Sequence, residues 1–312
     1  MIIENTLLTA SQICTLFILM GVGALCRRLN ILTDKAVESL VKLLVNIVTP
    51  ALIIDAFQCP FQSELLGDLA ITAAISAIFH ILLILLCTAL FPGRDDSNPV
   101  IRMASVFSNA GFMGLPLEYA ILGKAGVFFG SVYIASFNCF IWTWGIATLQ
   151  DKTKSSLRPI FVNPGCIGLT IGLSLFFSSC TIPKPIAEPL YALSSLNTPL
   201  AMLAVGYNLG SVKPAIIAKS AAFYFAAAIR LVLSPLLMIG LICITRPFIN
   251  IGRPASIALV IAAAAPVAAL VAVLSAKYKK NMPLATGLVS GTTLLSIATL
   301  PPAVAAAMYI FK

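Results

Sequence analysis

Residues 106–123 read VFSNAGFMGLPLEYAILG, an apolar run interrupted in its middle by Asn109, Gly111, Gly114 and Pro116. Glycine lowers helix propensity, and proline removes a backbone donor and clashes with the preceding turn. The spacing predicts two half-helices joined by an extended stretch. Inside a bilayer such backbone must be buried in protein or line a wet cavity, because lipid cannot satisfy its polar groups. The N-terminal end of a half-helix then offers free N–H groups and partial positive charge, suited to a carboxylate. Asn109 adds an amide beside it. The plainer reading is a proline-kinked helix with Asn109 hydrogen-bonded to a neighbour.

The rest of the chain places this run in a membrane. Of 312 residues, 60% are hydrophobic and only 10% charged, with a mean hydropathy of +1.02; soluble chains carry roughly 25% charged residues. Reading apolar runs between polar punctuation gives ten spans, near 7–27, 36–57, 66–91, 100–122, 126–149, 160–181, 186–210, 214–244, 253–276 and 283–310. Each approaches the length of about 20 residues that crosses a bilayer. The opening MIIENTLL carries Glu4 and no basic region, so the first run is read as a retained helix rather than a cleaved signal. The eight cysteines are scattered singly, without the spacing of a metal or redox site, so no metal or cofactor is expected.

The net charge of +9 would suit nucleic acid, but its distribution argues otherwise. The odd-numbered connections and adjoining helix ends hold fourteen basic residues, from Arg27 and Arg28 through Arg94, Lys152, Lys154, Lys213 and Lys219 to Lys280. The even ones and the C-terminus hold five, namely Lys124, Lys184, Arg246, Arg253 and Lys312. The positive-inside rule puts the odd connections in the cytoplasm and both termini outside.

The halves, 1–150 and 151–312, resemble each other at an offset of about 150 residues. Thr49-Pro50 matches Thr198-Pro199, Pro116 matches Pro266, and His80 falls opposite Arg230. Five spans per repeat is an odd number, so the second copy enters from the opposite side. The expected fold class is therefore an all-α polytopic protein, ten helices in a five-plus-five inverted repeat, as recurs in secondary transporters. Pro266, amid small residues in IAAAAPVAALVAVL (261–274), is the partner break to span 4. Two breaks at matching positions point to a substrate site, with Asn109, Gly111, Pro116, Asn138, Arg230 and Pro266 as its candidate residues.

Arg230 lies at a depth where charge is expensive. It neutralises an anionic substrate, pairs with a carboxylate such as Glu118 or Asp55, or is purely structural. His80 is either a proton relay or a hydrogen-bonded core residue, and Asp55 and Glu118 are candidate proton or cation sites. Asn46, Asn138 and Asn197 are ligands or interhelical glue. Thr49, Pro50, Gly114, Thr198 and Pro199 are read as helix-break residues, with the two threonines satisfying carbonyls freed by the prolines.

NAGFMGLPL (109–117) resembles the fourth-span signature of the auxin efflux carrier family, within the wider bile-acid, auxin and arsenite transporter superfamily. SFNCFIWTWG (136–145), LNTPLAMLAVGYNLG (196–210), RLVLSP (230–235) and TTLLSIATLP (292–301) are similar to further segments in the same order. The family's bacterial branch includes malate and malonate carriers. The resemblance implies a scaffold half, a transport half with crossing broken helices 4 and 9, carriage of organic anions, and a dimer through the scaffold. Two departures speak against auxin as substrate. Only about ten residues (150–159) stand where plant exporters have a long cytoplasmic loop, and the span-9 break has no amide matching Asn109.

The expectation is a carrier of a small mono- or dicarboxylate in a bacterial inner membrane, coupled to protons or sodium or driven by potential. A sodium-coupled carrier of the bile-acid symporter type needs more acidic ligands than Glu118 supplies. A membrane sensor without net flux is the rival of another class. No H-E-x-x-H, G-x-S-x-G or paired membrane aspartate motif points to an enzyme, and no catalytic residue is expected.

Overall fold

A chain this apolar must satisfy its own backbone, and helix is the local solution. The computed structural model describes residues 2–93, 95–150, 158–210 and 221–312. Arg94, Lys152, Lys154, Lys213 and Lys219, which carry part of the charge bias, and residues 214–220 of the eighth apolar run lie outside the described residues. So do residues 151–157 of the connection between the halves.

The helices run in order as α1 (Ile2–Arg28), α2 (Asp34–Ala56), α3 (Ser63–Leu90), α4 (Asn98–Val106), α5 (Ala110–Leu122) and α6 (Lys124–Leu149). After the short α7 (Arg158–Phe161) come α8 (Pro164–Ser178), α9 (Lys184–Ser195) and α10 (Asn197–Leu209). The chain closes with α11 (Ala221–Thr245), α12 (Arg253–Ala264), α13 (Ala269–Lys277) and α14 (Met282–Ile310). α2, α3, α6, α11 and α14 are each long and apolar enough to cross a bilayer, and α5, α8 and α12 are shorter apolar helices. Among the described residues there is no strand, only an isolated bridge between Ser108 and Val267.

Prolines shape the long helices. Widened turns, with hydrogen bonds reaching five residues back, occupy Leu44–Val48, Ala110–Gly114 and Ile229–Leu233. Each stands just ahead of a proline: Pro50, Pro116 and Pro235. Proline has no N–H to return to the preceding turn and its ring needs room there, and one extra residue per turn relieves both. A fourth widened turn, Ile141–Gly145, has no proline after it. Between α5 and α6 the chain reverses at Gly123, whose φ of 62° excludes most other residues.

Packing depends on small residues. α1 lies along α10, and a Cβ at Gly206 would collide with the Met20 carbonyl, as one at Gly23 would with that of Leu203. α8 meets α2 in a similar way, Gly168 against Pro50 and Gly172 against Phe57. Asn197 donates from its carboxamide to the Thr49 hydroxyl (3.0 Å), tying the two Thr-Pro segments together. Lipid gives helices no hydrophobic drive to associate, so close backbone approach and hydrogen bonds must hold them. The outer helices carry the complementary sign of a bilayer: Ile18, Val22, Ile81, Leu85, Leu294 and Ile297 face outward. At the centre, residues 99–106 of α4 and 255–264 of α12 are buried on every side. The protein is an all-α membrane protein.

Gly206→Ala forces the α1–α10 contact apart, whereas Gly240→Ala enters open space. Thermal unfolding in detergent will show the first variant destabilised by about 1–3 kcal/mol, as overpacking usually costs, and the second unchanged.

Candidate functional site

The two interruptions meet. α4 ends at Val106, and residues 107–109 are extended before α5 begins at Ala110. α12 ends at Ala264, and residues 265–268 are extended before α13. The stretches run antiparallel, with Ser108 opposite Val267. The Asn109 N–H donates to the Pro266 carbonyl (2.7 Å), and the Ala268 N–H to the Phe107 carbonyl (3.0 Å). The Val267 N–H donates to the Thr292 hydroxyl on α14 (3.1 Å), and the Ser108 hydroxyl meets that of Tyr133 on α6 (3.2 Å). Each break thus supplies partners that the other lacks, as a dry interior demands. Gly111, Gly114 and Pro116 are not themselves in the extended stretch: the glycines lie in the widened first turn of α5, and Pro116 sits just beyond it.

Four half-helix ends converge here, two of each polarity. Arg230 on α11, fully buried, takes the C-terminal pair. Its Nη1 donates to the carbonyls of Val106 (2.8 Å) and Ser105 (3.4 Å), the end of α4. Its Nη2 donates to the Ala263 carbonyl at the end of α12 and to the Ser234 hydroxyl one turn along α11. Helix-end carbonyls have no partner within the helix and carry its negative pole. One cation satisfies both. Arg230 forms no ion pair with Glu118 or Asp55; Asp55 instead accepts from Lys124 Nζ at 2.9 Å.

The N-terminal pair is left open. Nothing lies within 4 Å of where a Gly111 side chain would be, and Ala269, first residue of α13, is exposed. Asn109 is only 6% exposed, yet no hydrogen bond to its carboxamide occurs among the described residues. The first-turn N–H groups of α5 stand next to this unclaimed amide, and anions are what such helix ends attract.

The other candidates are placed differently. Asn138 donates to the Ile134 carbonyl (2.9 Å) and accepts from Asn163 (3.1 Å), whose Oδ1 caps the start of α8; its amide ties α6 to α8. His80 Nδ1 lies 2.7 Å from the Ser76 carbonyl, which only accepts, so that nitrogen carries the proton. Its ring stacks on Phe140 and packs against Tyr133 and Phe107. Asn46 turns back to the Lys42 carbonyl (2.7 Å) and is exposed. Thr49 accepts from Asn197 at the α2–α10 contact, Pro50 packs against Gly168 of α8, and Thr198 and Pro199 lie in the first turn of α10. Glu118 is 1% exposed, and neither carboxyl oxygen has a hydrogen-bond partner. Among the described residues no three His, Cys, Asp or Glu cluster as metal ligands.

Sequence reading missed Ser105, Ser108, Tyr133, Ser234 and Thr292. Small hydroxyl residues are common in membrane helices, and nothing local distinguishes these. The repeat was the one available signal, since it directs attention to whatever faces residues 107–109 and 265–268.

An all-α membrane protein with paired half-helices around a buried cation has the build of a membrane transporter. The profile of a family described as membrane transport protein matches the chain twice, over residues 9–158 and 152–303. The chain belongs to this membrane transport protein family, the one to which the auxin-carrier resemblance pointed. It is also similar to an uncharacterized transporter of Methanothermobacter thermautotrophicus, 24% identical over 309 residues that cover 94% of this chain and 96% of that one.

Arg230→Met leaves the carbonyls of Val106 and Ala263 buried without a donor, at about 1–3 kcal/mol each. Its melting temperature in detergent should fall well below that of wild type. Lys42→Met, at an ion pair with Glu38 in which both side chains are exposed, should shift it far less.

Proposed function

We propose that the protein is a secondary carrier of a small organic anion, a mono- or dicarboxylate, held at the paired breaks of α4–α5 and α12–α13. One observation carries this reading: Arg230 occupies the C-terminal poles, while the first turn of α5 has open space at Gly111 next to the Asn109 amide and α13 begins at the exposed Ala269. A carboxylate there would accept from the first-turn N–H groups around Gly111 and from Asn109, with Pro116 and Pro266 shaping the backbone. Arg230 acts through the fold rather than by touching substrate.

The surrounding frame is ten spans in two inverted repeats, 1–150 and 151–312, working by an elevator-like or rocking alternation. The twofold match of one family profile supports the repeat, and so does the packing. Exchanging the halves turns the α1–α10 contact into the α8–α2 contact, and both depend on glycines. Both termini lie outside under the charge bias. The connection of about ten residues between the halves fits a bacterial inner-membrane carboxylate carrier, here as a dimer, better than a plant exporter.

Uptake of labelled malate, malonate and indole acetate into proteoliposomes, under imposed proton, sodium or potassium-diffusion gradients, tests the reading. Saturable carboxylate flux is expected. Asn109→Ala removes one donor to a charged ligand, worth about 1.5–3 kcal/mol, so kcat/KM for uptake should fall about 10- to 100-fold. Specific binding without flux would make the protein a sensor, and undiminished flux in Asn109→Ala would remove the site assignment.

A further inference from the structure

The carrier reading leaves the coupling ion open, and one unused group bears on it. Glu118 lies on α5, nine residues beyond Asn109, the extended residue that leads directly into this half-helix. Its carboxyl occupies a slot made by glycines. A Cβ at Gly130 on α6 would collide with Oε2, and one at Gly114 would reach Oε1 at 3.6 Å and the Ala262 Cα of α12 at 3.8 Å. Glycine at position 130 is what leaves room for the carboxyl group.

No group in the slot supports a charge. Glu118 is 1% exposed and both its oxygens lack hydrogen bonds. From α6 the titratable neighbours are Tyr133, whose hydroxyl meets Ser108, and Lys124, which is held by Asp55 of α2 at 2.9 Å. α12 brings no titratable side chain between residues 256 and 264. α1 turns Leu16, Phe17 and Met20 toward α5, and α10 turns Met202; the α10 tyrosine, Tyr207, donates to Asp34. On α5 itself the other titratable group is Tyr119. Arg230, which is fully buried, is spent on carbonyls. An ionised carboxylate without counterion or donors costs several kcal/mol in such a place, whereas a neutral acid costs far less.

We propose that Glu118 is a proton-binding site, and that its proton couples transport to the proton gradient. The step is Glu–COOH releasing H⁺ to water and rebinding it, with no redox change. Because Asn109 leads into the first turn of α5 and Glu118 lies further along it, the half-helix that presents the anion also presents the proton. The dry slot admits α5 only with Glu118 neutral, so the carboxyl ionises when the α5–α6 contact opens to water on one side. The proposal rests on the carrier reading for coupling, but not for the bound proton.

Two measurements separate these. Infrared difference spectra of wild type against Glu118→Gln in nanodiscs at neutral pH should show the carbonyl stretch of a protonated carboxyl without hydrogen bonds, lost in the variant. Gln keeps the shape and neutrality of the acid, so folding is retained. Absence of that band from wild type overturns the proton site, whether or not the protein transports anything. In proteoliposomes given malate or malonate, an imposed proton gradient should drive accumulation by wild type, and Glu118→Gln should lose this response while still exchanging substrate down its own gradient. An equal response in both overturns the coupling while leaving the carrier in place.

Discussion

Everything at the centre of this protein depends on one guanidinium. Two helices that stop in the interior of the bundle leave two sets of carbonyls with no partner and bring two negative poles together. Left alone, α4 and α12 would repel end to end in a medium with no water to solvate them. Arg230 reaches both, Nη1 to Val106 and Ser105, Nη2 to Ala263. The interaction is reciprocal, because a buried arginine is itself tolerable only where such acceptors converge. The broken helices make room for the charge, and the charge permits the breaks.

The functional consequence is an asymmetry of polarity. With the negative ends occupied from within, the positive ends of α5 and α13 are the poles left to the proposed site. The selectivity proposed here therefore needs no cationic side chain in contact with substrate. The two extended stretches also satisfy each other through Asn109 with Pro266 and Ala268 with Phe107, so the two breaks are tied to one another. Around it, glycine contacts at Gly23, Gly206, Gly168 and Gly172 bring backbones together where hydrophobic burial gives no advantage.

The amino-acid sequence by itself determined the membrane class, the position of most helices and the existence of two interruptions. These follow from hydropathy summed over a span and from the local chemistry of Pro and Gly, which need no knowledge of distant residues. Even the widened turns before Pro50, Pro116 and Pro235 are local events. The sequence was less reliable within span 4. It centred the break on Gly111 and Pro116, whereas the chain leaves the helix at Phe107, because pairing with residues 265–268 decides where extended backbone is affordable.

Only the tertiary structure decided which polar side chain serves which purpose. By composition alone a carboxylate was an equally available partner for Arg230, but its acceptors include backbone carbonyls, which no residue letter records. Asp55 is claimed by Lys124 across 69 positions, Asn138 by Asn163, and Asn197 by Thr49 across 148. Glu118 is left without a partner by the same assortment. A buried polar group is defined by what lies within about 3 Å of it, and in a bundle of long helices those neighbours come from remote parts of the chain.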